Sequence, residues 1–420
     1  MMSRESFFLQ IHTLTPYAAT LLNRDDVGAA KRLPYGGTSR LRVSSQCLKR
    51  HWRDVASRWS LRTLADPTTG EEVAWTVRSR KIISREIGLP LVNEGFAPDT
   101  VVAVLNELKA KMLGESKKAK ADKTTKADKK AKTDKVEHAD VTELLEQELD
   151  TNQVIVLGRP EIEFMKTTAR TLLQQTPNDF KAAVEAYFKR KEVIDNLRAL
   201  RLAAGLDAAL FGRMVTSDIL ARGDSAVHVA HALTVHAEEA EPDYFTAIDD
   251  LKRDAGELGT GLIQTSELTS GLYYGYVVVD IPLLVSNLEG VAVENWREAD
   301  LGLSARVVEH LIHLIATTSA GAKLGSTAPY SYADFVLAEF GVAQPRSLMT
   351  AFHKALQAKE AREGAIGALA RYLAGFEEMY GVDTTRQLAS QLDTSALPIP
   401  RAEGGLAGLA AWAGAQVRGK

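Results

Sequence analysis

The chain has 420 residues and a formal net charge of −3 at pH 7, from 51 basic and 54 acidic side chains. Its length favours two or three domains, and its hydrophobic fraction of 45% is ordinary for a globular protein. This balance excludes a protein that coats nucleic acid through charge over its whole surface, so any nucleic-acid surface must be local. The single cysteine, Cys47, excludes an internal disulfide. No apolar stretch is long enough for a signal peptide or a bilayer span, so we expect a cytoplasmic protein with no membrane partner.

The first predicted element is a β-strand over residues 7–14. Its apolar residues recur at every second position, which is the period of a strand. Phe8 and His12 fall on the face opposite Leu9 and Ile11. Two interpretations remain open for that face. It is either a half-open surface where an aromatic ring stacks on a base, or part of the core with a hydrogen-bonded histidine.

Residues 23–53 concentrate the positive charge of the chain. Eight basic side chains stand there against only two acidic ones, Asp25 and Asp26. Charge this concentrated in a mildly acidic protein indicates that a polyanion docks on the stretch. The basic residues are Arg24, Lys31, Arg32, Arg40, Arg42, Lys49, Arg50 and Arg53.

A strand and a helix are predicted inside this stretch. Residues 38–43 alternate, with Arg40 and Arg42 on one side of a half-buried strand. Ser44 or Ser45 can cap the helix that follows, because a serine hydroxyl accepts a backbone N–H of the first turn. The apolar spacing predicts that this helix continues to Trp59 and buries one face.

The other face of the predicted helix is polar. Free N–H groups at its amino terminus, together with this face, make the helix a candidate phosphate site. A solvated basic face without a ligand is the alternative that charge alone leaves open. The candidate polyanion-binding residues, which the resemblance described below assigns to RNA, are Arg24, Lys31, Arg40, Arg42, Ser44, Ser45, Gln46, Lys49, Arg50 and Arg53.

A helical insertion is predicted over residues 61–195. Within it, residues 117–135 hold nine lysines and three aspartates, separated by alanine and threonine. This low-complexity loop cannot bury a core, and its lysines are candidate contacts to the phosphates of duplex DNA. A solubilising insertion is the alternative. The lysines are Lys117, Lys118, Lys120, Lys123, Lys126, Lys129, Lys130, Lys132 and Lys135.

Residues 196–223 predict a protruding hairpin. Phe211 and Met214 flank Gly212 and Arg213 at a turn-like position. Exposed side chains of these types at a loop tip suit wedging between bases. Packing of the phenylalanine and methionine in the core is the alternative.

No metal site and no cofactor are predicted. His228 and His231 point to opposite faces of a strand predicted over residues 226–236, so too few ligands converge there. Residues 391–420 are rich in glycine, alanine and proline and are predicted to form a C-terminal tail.

Several segments closely resemble the CasC family, the repeating backbone subunits of the type I-E CRISPR surveillance complex Cascade. The resemblance covers most of the chain except roughly residues 60–150 and the tail. The resemblance is specific because several unrelated sequence segments occur in the same order as in that family. These are FFLQIHTLTPY at 7–17, the basic stretch to residue 53, ALFGRM at 209–214, AVHVAHALTVH at 226–236, FTAIDDL at 245–251, GLYYGYVVVD at 271–280 and STAPYSYADFVLAE at 326–339.

The resemblance implies an α+β fold shaped like a hand. A modified RNA-recognition (ferredoxin-like) palm would comprise residues 1–60 and 224–390. Residues 61–195 would form a helical finger insertion, and residues 196–223 a thumb hairpin.

The resemblance also implies a non-catalytic scaffold. Copies of the chain would stack head to tail along a CRISPR RNA and present its bases to target DNA. The other Cascade subunits, one large, one small and two that bind the guide ends, would be partners. The alternative is a metal-dependent ribonuclease that uses Asp25 and Asp26, because two carboxylates in a basic loop could hold Mg²⁺. No third acidic ligand is apparent nearby, and Asp25 could instead pair with Arg32 or make an Asx turn.

Overall fold

The computed structural model describes residues 7–114, 138–175, 177, 179–193, 205–213, 224–248, 260–322, 327–381 and 384–419. They belong to two compact units. We call the first the palm; it comprises Met1–Glu72, Val227–Val285 and Val293–Lys420. We call the second the insertion unit; it comprises Val73–Ala226 and Ser286–Ala292. Helices and antiparallel strands occur together, so the predicted α+β class is confirmed.

The strands of the described residues lie in one large sheet and one two-stranded sheet. They are β1 (Phe8–Thr20), β2 (Arg32–Tyr35), β3 (Thr38–Val43), β4 (Thr76–Ser79), β5 (Ile155–Gly158), β6 (Val227–Val229), β7 (Ala232–Thr234), β8 (Glu239–Ile248), β9 (Thr260–Asp280), β10 (Phe335–Gly341) and β11 (Thr384–Ser390). The two-stranded sheet pairs β4 with β5.

The α-helices among the described residues are α1 (Ser45–Asp54), α2 (Leu89–Asn93), α3 (Pro98–Leu113), α4 (His138–Leu149), α5 (Arg159–Gln175), α6 (Phe180–Phe188), α7 (Leu206–Phe211), α8 (Ile281–Glu289), α9 (Gly302–Thr317), α10 (Ala361–Tyr380) and α11 (Gly405–Val417). A π-helical segment, Ile82–Gly88, leads into α2. In the part of the chain described, none of these helices has the length and apolar character to span a bilayer.

The palm is built on an antiparallel sheet with the order β11-β10-β1-β9-β7-β3-β2. Strands β6 and β8 also pair with β9, which is the longest strand. Helix α10 packs on the face that contains Leu14 and Tyr274. Residues of α1 and α9 pack on the opposite face, which contains Thr13 and Thr15.

The centre of β1 is buried on both faces, so no half-open face exists around His12. His12 is fully buried; its Nε2–H donates to Glu339 at 2.9 Å, and the Tyr274 hydroxyl donates to its Nδ1 at 2.8 Å. Burial lowers the pKa of His12 and favours this neutral form. The second interpretation, a hydrogen-bonded core histidine, is therefore the one that the structure supports.

Glu339 is a buried carboxylate held by several donors. Besides His12, it accepts two hydrogen bonds from Arg346, both at 3.0 Å, and forms an ion pair with Arg386. Burial alone would raise the pKa of Glu339, but the His12 hydrogen bond and the arginine charges outweigh burial and lower it. Removing one partner would leave a buried charge uncompensated, so this cluster fixes β1, β10 and β11 together.

The insertion unit has its own apolar core, formed mainly by α3, α4, α5 and α6. The described part of the predicted thumb, residues 205–213, contains the short helix α7 and not a hairpin strand. This part belongs to the insertion unit. The rest of the predicted thumb and the lysine-rich residues 117–135 lie outside the described residues.

The C-terminal segment is part of the palm and not a tail. Helix α11 packs against α9, where Leu409, Ala413 and Val417 are buried. A Cβ atom added at Gly414 would lie 2.0 Å from Oε1 of Glu309 on α9. The absence of a side chain at Gly414 thus leaves room for the Glu309 side chain where α11 packs against α9.

Helix α1 is shorter than predicted. It ends at Asp54, and Val55 already has extended dihedrals of −66° and 132°. Trp59 therefore lies beyond the helix, where its ring stacks on His313 with centroids 3.6 Å apart. Burial, followed by the charges of Arg58 and His310, lowers the pKa of His313 to about 4.

We expect the palm to lose stability in acid through His313. The unfolded chain binds a proton near pH 6.5, whereas the folded chain resists it down to about pH 4, so stability falls across that window. The variant His313→Phe keeps a ring against Trp59 and removes the titration. Its melting temperature should fall less steeply between these pH values than that of the unchanged chain. Equal slopes for the two proteins would contradict this role of His313.

Candidate nucleic-acid interface

The amino terminus of α1 is closed by side chains of the protein itself. Ser44 is the cap, as predicted, and its Oγ accepts the Cys47 N–H at 3.3 Å. Asn23 Oδ1 accepts the Ser44 N–H and His231 Nδ1 accepts the Ser45 N–H, both at 3.0 Å. The expectation that free N–H groups there form a phosphate site is therefore wrong, because most of these donors are already used.

The polar face of α1 is exposed, as the spacing predicted. Gln46 is exposed, and the side chain of Arg50 is 78% accessible. Lys49 is half-buried, and burial lowers its pKa. Arg53 is more enclosed, with 19% of its side chain accessible. This face offers amide and cationic donors to a ligand, and Arg50 is the most accessible of them.

A carboxylate next to this face organises its arginines. Asp54, the last residue of α1, forms ion pairs with Arg53 at 3.2 Å, Arg62 at 3.3 Å and Arg50 at 3.9 Å. Burial raises the pKa of Asp54, but hydrogen bonds and charges from Arg53 and Arg62 outweigh burial and lower it. Asp54 lies one position beyond the basic stretch of residues 23–53 and was not predicted as its counter-charge, although it stands four residues after Arg50, a helical pairing distance.

The loop between β1 and β2 is folded by Asp25. Its Oδ1 accepts the N–H groups of Val27 at 3.1 Å and Ala29 at 2.9 Å, which is the Asx turn considered from the sequence. The neighbouring Asp26 is exposed. Within the described ranges, no three histidine, cysteine or acidic side chains lie together where they could hold a metal ion.

A cleft of about 770 Å³ lies between this loop and the paired strands β8 and β9. Arg24, Lys31 and Arg42 line it from the loop and β3. Glu267 on β9 holds the loop in place, because it accepts the Ala30 N–H at 2.5 Å and forms an ion pair with Arg32. Arg32 and Glu267 also line the cleft, but the positive charge of Arg32 is paired with the Glu267 carboxylate.

Arg40 is not part of this surface, and its prediction as an RNA-binding residue is wrong. Its side chain is fully buried, and its guanidinium donates to the carbonyls of Thr234 at 2.9 Å and Phe352 at 3.0 Å. Its Nε also donates to Thr38 Oγ1 at 2.8 Å. Burial lowers the pKa of Arg40. The side chain stabilises the palm and cannot reach a ligand.

Arg213 is not exposed at a loop tip either. Its guanidinium forms an ion pair with both carboxylate oxygens of Glu161, and Nη2 donates to Oε1 at 2.7 Å. Each of the two side chains is only 1% accessible. Phe211 is half-buried at the end of α7. Met214 and the nine candidate lysines of residues 117–135 lie outside the described residues.

The structure therefore gathers part of the predicted set. Gln46, Lys49 and Arg50 share the exposed face of α1. Arg24, Lys31 and Arg42 line the cleft beside β3. The two groups meet at the β3–α1 junction, where the Ser45 side chain is half-buried and Ser44 acts as the cap.

His231 is a component of this junction that was not among the predicted interface residues. Antiparallel pairing of β3 with β7 places Ala232 opposite Val43, so His231 lies beside the start of α1. The register of β3 with β7 fixes the position of His231 beside α1. The pairing joins residues far apart in the sequence, so local sequence patterns do not predict it.

Comparison with known proteins identifies the family. The model of the CT1975-like protein family matches residues 9–406. No curated protein matches the chain. A chain of a "CRISPR RNA-guided surveillance complex, pre-nicking" is 25% identical, with 98% of this chain and 100% of that chain covered and a TM-score of 0.70. A chain of a "CRISPR RNA-guided surveillance complex" shares the fold at 20% identity, with 97% and 99% covered and a TM-score of 0.52.

The family match covers nearly the whole chain, from residue 9 to residue 406, including the basic stretch and residues 60–150, which the initial resemblance left out. The resemblance to CasC-type subunits is confirmed by this match. The chain belongs to the CT1975-like protein family.

Proposed function

We propose that this chain is a non-catalytic, RNA-binding backbone subunit of a type I-E CRISPR surveillance complex. Copies of it would line a CRISPR RNA and present the bases for pairing with target DNA, together with the large, small and guide-end-binding subunits, in the cytoplasm. The similarity to a chain of a solved surveillance complex supports the assembly. The contacts to RNA are argued from the palm itself.

The observation that carries the proposal is the pair of cationic surfaces that meet at the β3–α1 junction. Gln46, Lys49 and Arg50 lie on one, and the cleft cations lie on the other. Lysine and arginine on a surface without stacked aromatic rings bind phosphates and leave the bases free. That is what a guide requires, because its sequence is read by base pairing.

The proposal of a scaffold without catalysis is supported by the role of Asp25. Its Oδ1 accepts two backbone N–H groups that shape the loop, so the carboxylate of Asp25 already has a structural role. A ribonuclease using this loop would need further ligands to complete the coordination of Mg²⁺.

We expect Lys49→Ala combined with Arg50→Ala to weaken binding of single-stranded RNA about equally for all sequences. Because each contact to a single strand contributes about 0.7 to the slope of log K against log salt, the slope should fall by about 1.4. Titration of fluorescent RNA over a range of salt concentrations measures both quantities.

A matched control is Lys359→Ala combined with Arg371→Ala, which removes the same charge from exposed cations outside the interface. It should leave the slope within error of the unchanged chain. If both double variants lowered the slope equally, a diffuse charge effect would replace the proposed contacts.

The variant Asp54→Asn should increase RNA affinity at low salt by about two- to fivefold, because it releases three arginines from a carboxylate worth under about 1 kcal/mol per exposed pair. Glu360→Gln, at an exposed carboxylate outside the interface, is the charge-matched control. Binding assays at low and high salt compare the two, and the gain should shrink as salt rises. Unchanged or weaker binding of Asp54→Asn would place these arginines outside the RNA contact.

Absence of cleavage is tested with Mg²⁺. The chain assembled on a guide is incubated with complementary RNA, and the products are resolved on a denaturing gel. The scaffold proposal predicts intact RNA. Regularly spaced cuts that disappear in Asp26→Ala would establish the ribonuclease instead.

A further inference from the structure

The His231 ring is held in one orientation at the β3–α1 junction. Its Nδ1 accepts the backbone N–H of Ser45 at 3.0 Å, so this nitrogen carries no proton. The residue itself is exposed, and Nε2 has no hydrogen-bond partner among the described residues. One side of the ring therefore belongs to the fold, and the other side faces outward.

The protonation state of the ring follows from its surroundings. Partial burial on the side of the ring that faces Ser45, followed by the positive charges of Arg42 and Lys31, lowers the pKa of His231. At neutral pH the ring is therefore uncharged. Because Nδ1 is an acceptor, the single proton of the neutral ring must be on Nε2, which makes Nε2–H a donor.

The neighbours of this donor define the ligand that suits it. Lys31 and Arg42 line the cleft, and both act electrostatically on the His231 ring. A neutral N–H near two cations matches an oxygen acceptor that the cations have already attracted. The oxygens of a sugar–phosphate chain, either phosphate or ribose, are acceptors of this kind.

We propose that His231 is an RNA-binding residue whose Nε2–H donates a hydrogen bond to a backbone oxygen of the bound strand, next to Arg42 and Lys31. The inference rests on the proposed RNA binding of the palm. It assigns two roles to one ring: Nδ1 accepts the Ser45 N–H at the start of α1, and Nε2 contacts the ligand.

Two substitutions separate these roles. His231→Asn places its side-chain oxygen near the position of Nδ1, so it can still accept the Ser45 N–H but has lost the outer donor. His231→Gln places its amide nitrogen near the position of Nε2, so it keeps an outer donor but no longer accepts the Ser45 N–H. Binding of one single-stranded RNA and thermal melting are measured for the full-length chain and both variants.

We expect His231→Asn to bind RNA about three- to tenfold more weakly at an unchanged melting temperature, which is the effect of losing one hydrogen bond. His231→Gln should bind within about twofold of the unchanged chain and melt at a lower temperature, because the Ser45 N–H loses its acceptor. Full affinity in His231→Asn would show that the ring serves only to accept the Ser45 N–H, and it would overturn the inference. Equal losses in both variants, accompanied by lower melting temperatures, would overturn it too.

A DNA strand of the same sequence distinguishes the two oxygen sources. If the acceptor is a phosphate, the relative loss in His231→Asn is the same for RNA and DNA; if it is the 2′-hydroxyl, the loss appears only with RNA. Should the unchanged chain bind RNA and His231→Asn bind equally well, the inference fails while the proposed function stands. An unchanged chain with no RNA affinity would end both.

Discussion

The closed amino terminus of α1 determines how the palm can hold a polyanion. Asn23, Ser44 and His231 supply acceptors for the N–H groups of Ser44, Cys47 and Ser45, so the helix end offers few backbone donors to a ligand. Attraction must then come from side chains, namely the exposed face of α1 and the cations of the cleft. Side-chain cations give binding that weakens with salt and is indifferent to sequence, which suits a protein that holds a guide.

Carboxylates placed among the cations keep this surface ordered. Asp54 joins three arginines at the end of α1, and Glu267 joins Arg32 to the loop backbone. Such pairs contribute little to stability when exposed, but they fix where the guanidinium groups lie. A chain with a net charge of −3 can thereby present a local cationic surface without a general affinity for polyanions.

The sequence predicted local features of this region well. The alternation over residues 38–43, the cap at Ser44 and the exposed face of α1 follow from neighbouring residues, and all are found. Arg40 and Arg42 lie on one face of β3, and alternation cannot say which part of a face is covered. The carbonyl of Phe352, more than 300 positions away in the chain, accepts a hydrogen bond from the buried Arg40, whereas Arg42 lines the cleft. The same limitation hid the partner of Arg213 and the place of α11.

The central claim is that RNA lies against the cations of the palm, and lysine footprinting with an acylating reagent measures this most directly. The account predicts that bound RNA protects Lys31 and Lys49, while Lys359, whose side chain is 76% accessible, keeps its reactivity. Reactivity of Lys31 and Lys49 that is unchanged in a complex shown to contain RNA would contradict the account.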